Sequence, residues 1–105
     1  MVDRVYLFAH DSVETEVRTA NYASDETYFC AVDIGNIVKL NVDKVLESVD
    51  EKQQLIRFTD TERGCEGLVY LSEIGMCQLI ALSNPAIRHP LEKWMTDVVG
   101  KKETT

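Results

Sequence analysis

Histidine and cysteine are scarce in this chain, with two of the former and three of the latter among 105 residues. Cys30, Cys65 and Cys77 are an odd number without a close pair, which argues against a disulfide framework. Free thiols suit a reducing compartment, and Cys30 and Cys77, set in apolar stretches, are expected to be small buried hydrophobes. No Cys-x-x-Cys or His-x-x-x-His spacing occurs, so no structural zinc site is expected and no cofactor is implied. Gly-x-x-x-x-Gly-Lys-Ser/Thr, Gly-x-Gly-x-x-Gly and Gly-x-Ser-x-Gly are missing, and with them the signals for a phosphate-cradling loop or a nucleophile elbow. His10 and His89 are brought to no cysteine by sequence, and the carboxylates read as a solvated face. Neither an enzyme nor a small-molecule substrate is expected. No apolar run approaches the roughly 20 residues that cross a bilayer. The opening Met1 to Tyr6 lacks the charged region and long apolar run of a secretory signal. The expectation is a soluble intracellular protein without a membrane partner. No internal repeat, low-complexity tract or linker interrupts the chain.

What is present is an ordinary globular composition, 45% hydrophobic, at a length that makes one domain. A chain this short buries a modest core, so a partner or a second copy, a homo-oligomer, would add to its stability. The formal charge is −7 and unevenly spread. Residues 1–33 hold seven acids and two bases, residues 34–83 eight and five, and residues 84–105 three and four. An acidic protein is a poor general ligand for phosphate, so any nucleic-acid contact belongs to a local cluster of bases.

The first third reads as strands. Val2 to Phe8 is rich in β-formers, and His10-Asp11-Ser12 is turn chemistry. Val13 to Val17 alternates apolar and polar, so the two segments predict an antiparallel hairpin. Asn21 to Glu26 is loop-like. Thr27 to Ala31 is a short, nearly continuous apolar strand expected to be central, with Tyr28 and Phe29 in the core. The period then changes. Asp33 is expected to cap a short helix carrying Ile34, Ile37 and Val38, and Asn41 to cap a second with Val42, Val45, Leu46 and Val49 as its stripe. Asp50 to Gln53 reads as a polar loop, Leu55 to Phe58 as a strand, Thr59 to Gly67 as a turn or hairpin loop, and Leu68 to Leu71 as a strand. Ser72 caps a helix to about Leu82 with Met76, Leu79, Ile80 and Ser83 on one face, and Gly75 is expected to let it approach the sheet. Asn84-Pro85 opens a last helix bearing Ile87, Leu91, Trp94, Met95 and Val98, ended by Gly100. The fold class is α+β, a small antiparallel β-sheet packed by about four helices, in the order β-β-β-α-α-β-β-α-α. Residues 1–100 form the domain and 101–105 a frayed tail.

Two segments carry a resemblance. Tyr28-Phe29-Cys30-Ala31-Val32-Asp33-Ile34-Gly35-Asn36-Ile37-Val38-Lys39-Leu40 resembles the opening motif of the BRO N-terminal domain of large DNA viruses and phage antirepressor-like proteins. Val69 to Ile80, then Ser83-Asn84-Pro85-Ala86 and Glu92 to Val99, is similar to that domain's second half, with its capped helix, Ser-x-x-Pro junction and Trp-bearing final helix. Order and spacing agree over roughly residues 22–99. The resemblance implies a DNA-binding module, in the host nucleus or cytoplasm if viral. The family's domain is usually fused to a second, variable one, and this chain reads as a stand-alone unit. The basic run that usually closes the motif is replaced by Val98-Val99-Gly100-Lys101-Lys102, so the binding expected is weak and non-specific.

The expected DNA contacts are Arg57 and Arg63, on or beside the second hairpin, and Arg88, Lys93, Lys101 and Lys102 at the carboxyl-terminal end. The alternative reading is an acidic interaction module that has lost DNA binding. It would present Glu14, Glu16, Asp25 and Glu26 to a basic protein partner or self-associate.

Overall fold

The computed structural model describes residues 2–21 and 26–101. Strand β1 (Val2–His10) turns back into β2 (Val13–Asn21), and β3 (Thr27–Cys30) runs directly into helix α1 (Ala31–Val38). Helix α2 (Val42–Glu47), a single 3₁₀ turn (Glu51–Gln53), β4 (Gln54–Thr61), β5 (Gly64–Leu71), α3 (Glu73–Leu82) and α4 (Pro85–Lys101) follow. The order of strands and α-helices is the one the sequence predicts. All neighbours in the sheet are antiparallel and the spatial order is β1-β2-β3-β5-β4, which puts the apolar β3 in the middle as expected.

The first hairpin closes with Asp11 and Ser12 at φ 50° and 65°. Two left-handed residues in a two-residue loop match the twist of the strands they join, which is why such turns favour residues that tolerate positive φ. Strand alternation then sorts the side chains. Tyr6 and Phe8 of β1, Val17 of β2, Phe29 of β3 and Leu71 of β5 point to one face. They meet Ile34, Ile37, Val45, Met76, Leu79, Leu91, Met95 and Val98 from the helices in one core. Trp94 secures α4 to this core: its Nε1–H donates to the Leu7 carbonyl at 2.9 Å, and its ring stands edge-on to Phe8, 5.8 Å between centroids. Helix α4 continues through Pro90, which offers no N–H to the turn before it. The burial of Leu91, Met95 and Val98 beyond Pro90 holds the helix together across that gap.

Two expected caps are in place. The Asn41 side chain accepts from the Lys44 amide at 3.0 Å, and Ser72 Oγ accepts from the Gly75 amide at 3.1 Å. The corner between α1 and α2 is sharp because Gly35 sits under the Leu40 carbonyl, where a Cβ would come within 2.6 Å of that oxygen.

Several expectations need correction. Cys77 is exposed, and of the three cysteines only Cys30 is buried. The face expected for α3, with Met76, Leu79, Ile80 and Ser83, is the buried one, and Cys77 lies off it, on the open side with Ile74 at 60% exposure. Gly75 admits Val49 and Gln53, whose atoms would lie 3.0 and 3.1 Å from an added Cβ, rather than the sheet. Asp50 to Gln53 is an ordered 3₁₀ turn, with the Asp50 carboxylate accepting from the Lys52 amide. The segment Thr59 to Gly67 is mostly strand. Pairing runs from Gln54↔Leu71 out to Thr61↔Gly64 and leaves only Glu62 and Arg63 as the turn. The outer half of that hairpin is solvated, so main-chain hydrogen bonds rather than an apolar period hold it. Tyr28 is half-buried with its hydroxyl donating to Glu26, while Phe29 is fully buried. Gly100 lies within α4 rather than ending it.

Candidate functional site

The helices cover one face of the sheet. The other face has a small apolar floor of Ala20, Cys30 and Tyr70, flanked by Tyr28, Val32 and Leu68. Val5 and Leu7 stand on that side too, 58% and 50% exposed. Two ion pairs are built around this floor.

The first follows from unequal strand lengths. β2 has nine residues and β3 four, so β3 pairs only with Thr19 to Asn21. The Arg18 amide faces a gap where the neighbouring strand has already become a helix. Asp33, on the first turn of α1, fills it: Oδ2 accepts both the Arg18 amide and Arg18 Nε at 2.9 Å, and Oδ1 accepts Nη2 at 2.9 Å. This corrects the expectation that Asp33 caps its own helix. The helix begins three residues earlier than such a cap would have it, at Ala31, and Cys30 at its N-cap position makes no side-chain cap. Three charge-assisted hydrogen bonds compensate for placing a carboxylate where its side chain is 11% exposed. The bond to Asp33 raises the pKa of Arg18 further above its ordinary value, and burial pushes the nearby Cys30 thiol up.

The second pair joins opposite edges of the sheet. Arg57 Nη1 on β4 donates to Asp3 Oδ1 on β1, although three strands lie between them in the sheet order. The sheet is therefore curled, with its helix-free face concave. Asp3 is held below the usual carboxylate range, chiefly by the hydrogen bond from Arg57. The curl encloses a cleft of about 240 Å³ lined by Asp3, Arg4, Val5, Arg18, Thr19, Arg57, Leu68 and Tyr70. The Tyr70 hydroxyl is pushed up by burial.

The sequence-derived cations fall in different places. Arg57 is in this cleft. Arg63 is exposed in the β4–β5 turn, next to the exposed Phe58 and Ile56 strand. Arg88, in the first turn of α4, donates from Nη2 to the Ser83 carbonyl at 3.0 Å, and Lys93 is exposed further along that helix. Lys101 is the last residue of α4, its side chain outside the description, and Lys102 lies outside the described residues. Of the acidic set, Glu14 and Glu16 are exposed on β2, Glu26 accepts from the Tyr28 hydroxyl, and Asp25 lies outside the described residues.

What sequence reasoning missed is Arg18. The hairpin register pairs it with Val5 on the helix-free face, while Arg4 pairs with Thr19 and shares the helix-covered face with Tyr6 and Phe8. That much follows from the turn, but bringing Arg18 and Arg57 to one cleft requires the curl. Among the described residues, no group of three or more His, Cys, Asp or Glu side chains converges as a metal site would, and no helix is long and apolar enough to cross a membrane.

Comparison with known proteins matches the chain to the family described as BRO family, N-terminal domain, over residues 16–101. No curated protein and no solved structure matches the chain.

Proposed function

Because this chain belongs to the BRO family through its N-terminal domain, residues 16–101, we propose that it is a DNA-binding regulatory module. The family match over most of the chain is the observation that carries this reading. The charge sets its strength. At −7 the protein as a whole repels DNA, so binding depends on few phosphate contacts, and Arg57, Arg63, Arg88, Lys93, Lys101 and Lys102 are the candidates. Phosphate contacts without base readout give loose, sequence-tolerant binding.

The test is fluorescence anisotropy with labelled double- and single-stranded DNA at about 50 and 200 mM salt. For roughly three phosphate contacts the affinity falls about 40-fold between those salts. Saturable binding with such a salt dependence supports the proposal. No binding at the lower salt, where attraction is least screened, refutes it.

A second reading rests on the exposed acids of the first hairpin, Asp11, Glu14 and Glu16. These would dock a basic protein by charge complementarity. Capture of a partner that survives neutralisation of Glu14, Glu16, Asp25 and Glu26 rules that surface out.

A further inference from the structure

We propose that the open side of α3 is a self-association surface, on which a second copy of this chain lays its own α3 antiparallel about a two-fold axis.

The first support is the composition of that side. The exposed residues of α3 are Ile74, Cys77, Ala81 and Leu82, and all four are apolar. Ile74 is 60% exposed and Leu82 70%. A surface helix ordinarily turns charged and polar residues outward, so a helix that is apolar on two opposite sides calls for cover on both. The core covers one of them, through Met76, Leu79 and Ile80. Gln78, the polar residue on the open side, is half-buried, and its side-chain carbonyl already accepts from the Asp50 amide at 2.9 Å. A groove of about 460 Å³ runs between α3 and α4, with Cys77 and Ala81 on one wall and Arg88 and Glu92 on the other.

The second support is charge, and it selects the occupant. Residues 74–91 hold no Asp or Glu, in a chain that has 18 of them. No other run in the sequence goes so far without an acid. At −7, two copies repel wherever acidic surfaces face each other, and such a net charge keeps proteins apart. On the open side of α3 they approach without that penalty. A basic protein finds no acid to pair with between residues 74 and 91. Nucleic acid finds Arg88, whose guanidinium already donates to the Ser83 carbonyl and shares the groove with Glu92. The surface fits an uncharged apolar partner, and the same side of another α3 is one.

The third support is shape. With residue 77 of one helix opposite residue 78 of the other, Ile74 of each copy meets Ala81 of its mate. The large side chain falls where the small one leaves room, and the two-fold axis makes the fit twice. The contact is that of one ten-residue helix on another, at the low end of interface sizes, so the dimer is weak. A small domain with a modest core still gains stability from it.

The experiment is light scattering on the protein alone at about 5 to about 500 μM, so that its outcome is independent of the DNA-binding reading. The mass of the wild type is expected to rise from 11.9 kDa toward twice that value. Ala81→Lys places a long charged side chain where Ile74 of the other copy would sit. It is expected to weaken association by about 30-fold or more, because the contact is lost twice. Phe58→Lys changes an exposed hydrophobic residue of the β4–β5 hairpin instead, and is expected to associate as the wild type does. Thiol labelling of the wild type supplies a reading that needs no variant. Cys77 reacts fast in dilute protein and is expected to slow severalfold relative to Cys65 as the dimer fills. A wild type that stays at 11.9 kDa throughout overturns the proposal. So does a folded Ala81→Lys protein that still associates, a loss of association in Phe58→Lys, or a Cys77 rate that does not fall as the mass rises. If circular dichroism shows that Ala81→Lys is unfolded, the labelling of the wild type decides.

Discussion

Replacing Arg18 by methionine tests whether Asp33 is the strut that joins β2 to α1. Methionine keeps the length and apolar stem of arginine but removes two of the three donors to the carboxylate, leaving only the Arg18 amide. Stripping the partner from a buried ion pair costs about 3–5 kcal/mol. Here the Arg18 side chain is 45% exposed, so water relieves part of the loss, and we expect about 2–3 kcal/mol. Asp33→Ala should cost less, about 1–2 kcal/mol, because the freed guanidinium turns to solvent and the main deficit is one amide without its acceptor. The double variant should then be no worse than Arg18→Met alone, since no carboxylate is left stranded. Urea unfolding followed by far-ultraviolet circular dichroism measures all three. With a slope of about 1–2 kcal/mol per M for a domain of this size, Arg18→Met lowers the midpoint by about 1–2 M. If both single variants fall within 0.5 kcal/mol of the wild type, or their effects simply add, the pair is not structural and the reasoning fails.

Three shorter predictions follow from other parts of the molecule. Ser12→Gly should stabilise the fold by about 1 kcal/mol, because Ser12 holds φ 65° where glycine is unstrained; a thermal melt would show a gain of about 4–8 °C, and no gain would remove strain from the turn. Ellman's reagent should label two thiols of the native protein quickly, Cys65 and Cys77, and Cys30 only on unfolding, since Cys30 is fully buried and its thiol pKa is raised; three fast thiols would contradict that burial. The last concerns pH. Arg57 lowers the pKa of Asp3 from its ordinary 3.8, so the pair adds a small stability that is fully present above about pH 4 and fades as pH falls through the folded value. In Arg57→Gln the Asp3 carboxyl should titrate nearer its ordinary value by NMR, and the stability difference from the wild type should shrink in acid. An unchanged Asp3 titration would separate the two residues.

Much of the fold is legible residue by residue because its signals are local. A helical stripe such as Leu91, Trp94, Met95 and Val98 is readable because neighbours three and four apart share a face, and all four meet the core or its border. Asn41 and Ser72 were recognisable caps because a short side chain and the amide three residues on are close in any helix start. The same local logic misreads Asp33. An acid near a helix start has one signature whether it caps its own amides or reaches Arg18, fifteen residues away. Cys77 is misread for a different reason: its neighbours in sequence are apolar, but its position falls off the buried face of Met76, Leu79, Ile80 and Ser83.

The sequence by itself determined the order of strands and helices, the apolar central strand and the family. Those depend on spacings of a few residues and on motifs read in line. Only the tertiary structure decided how far the β4–β5 hairpin extends, since its outer pairs are held by backbone groups that every residue carries. It alone decided that the two edges of the sheet meet. Asp3 and Arg57 are separated by 54 positions and come together because twist accumulates from strand to strand until β4 faces β1. No single strand encodes that curl, and the cleft that Asp3 and Arg57 close exists only once all five are paired.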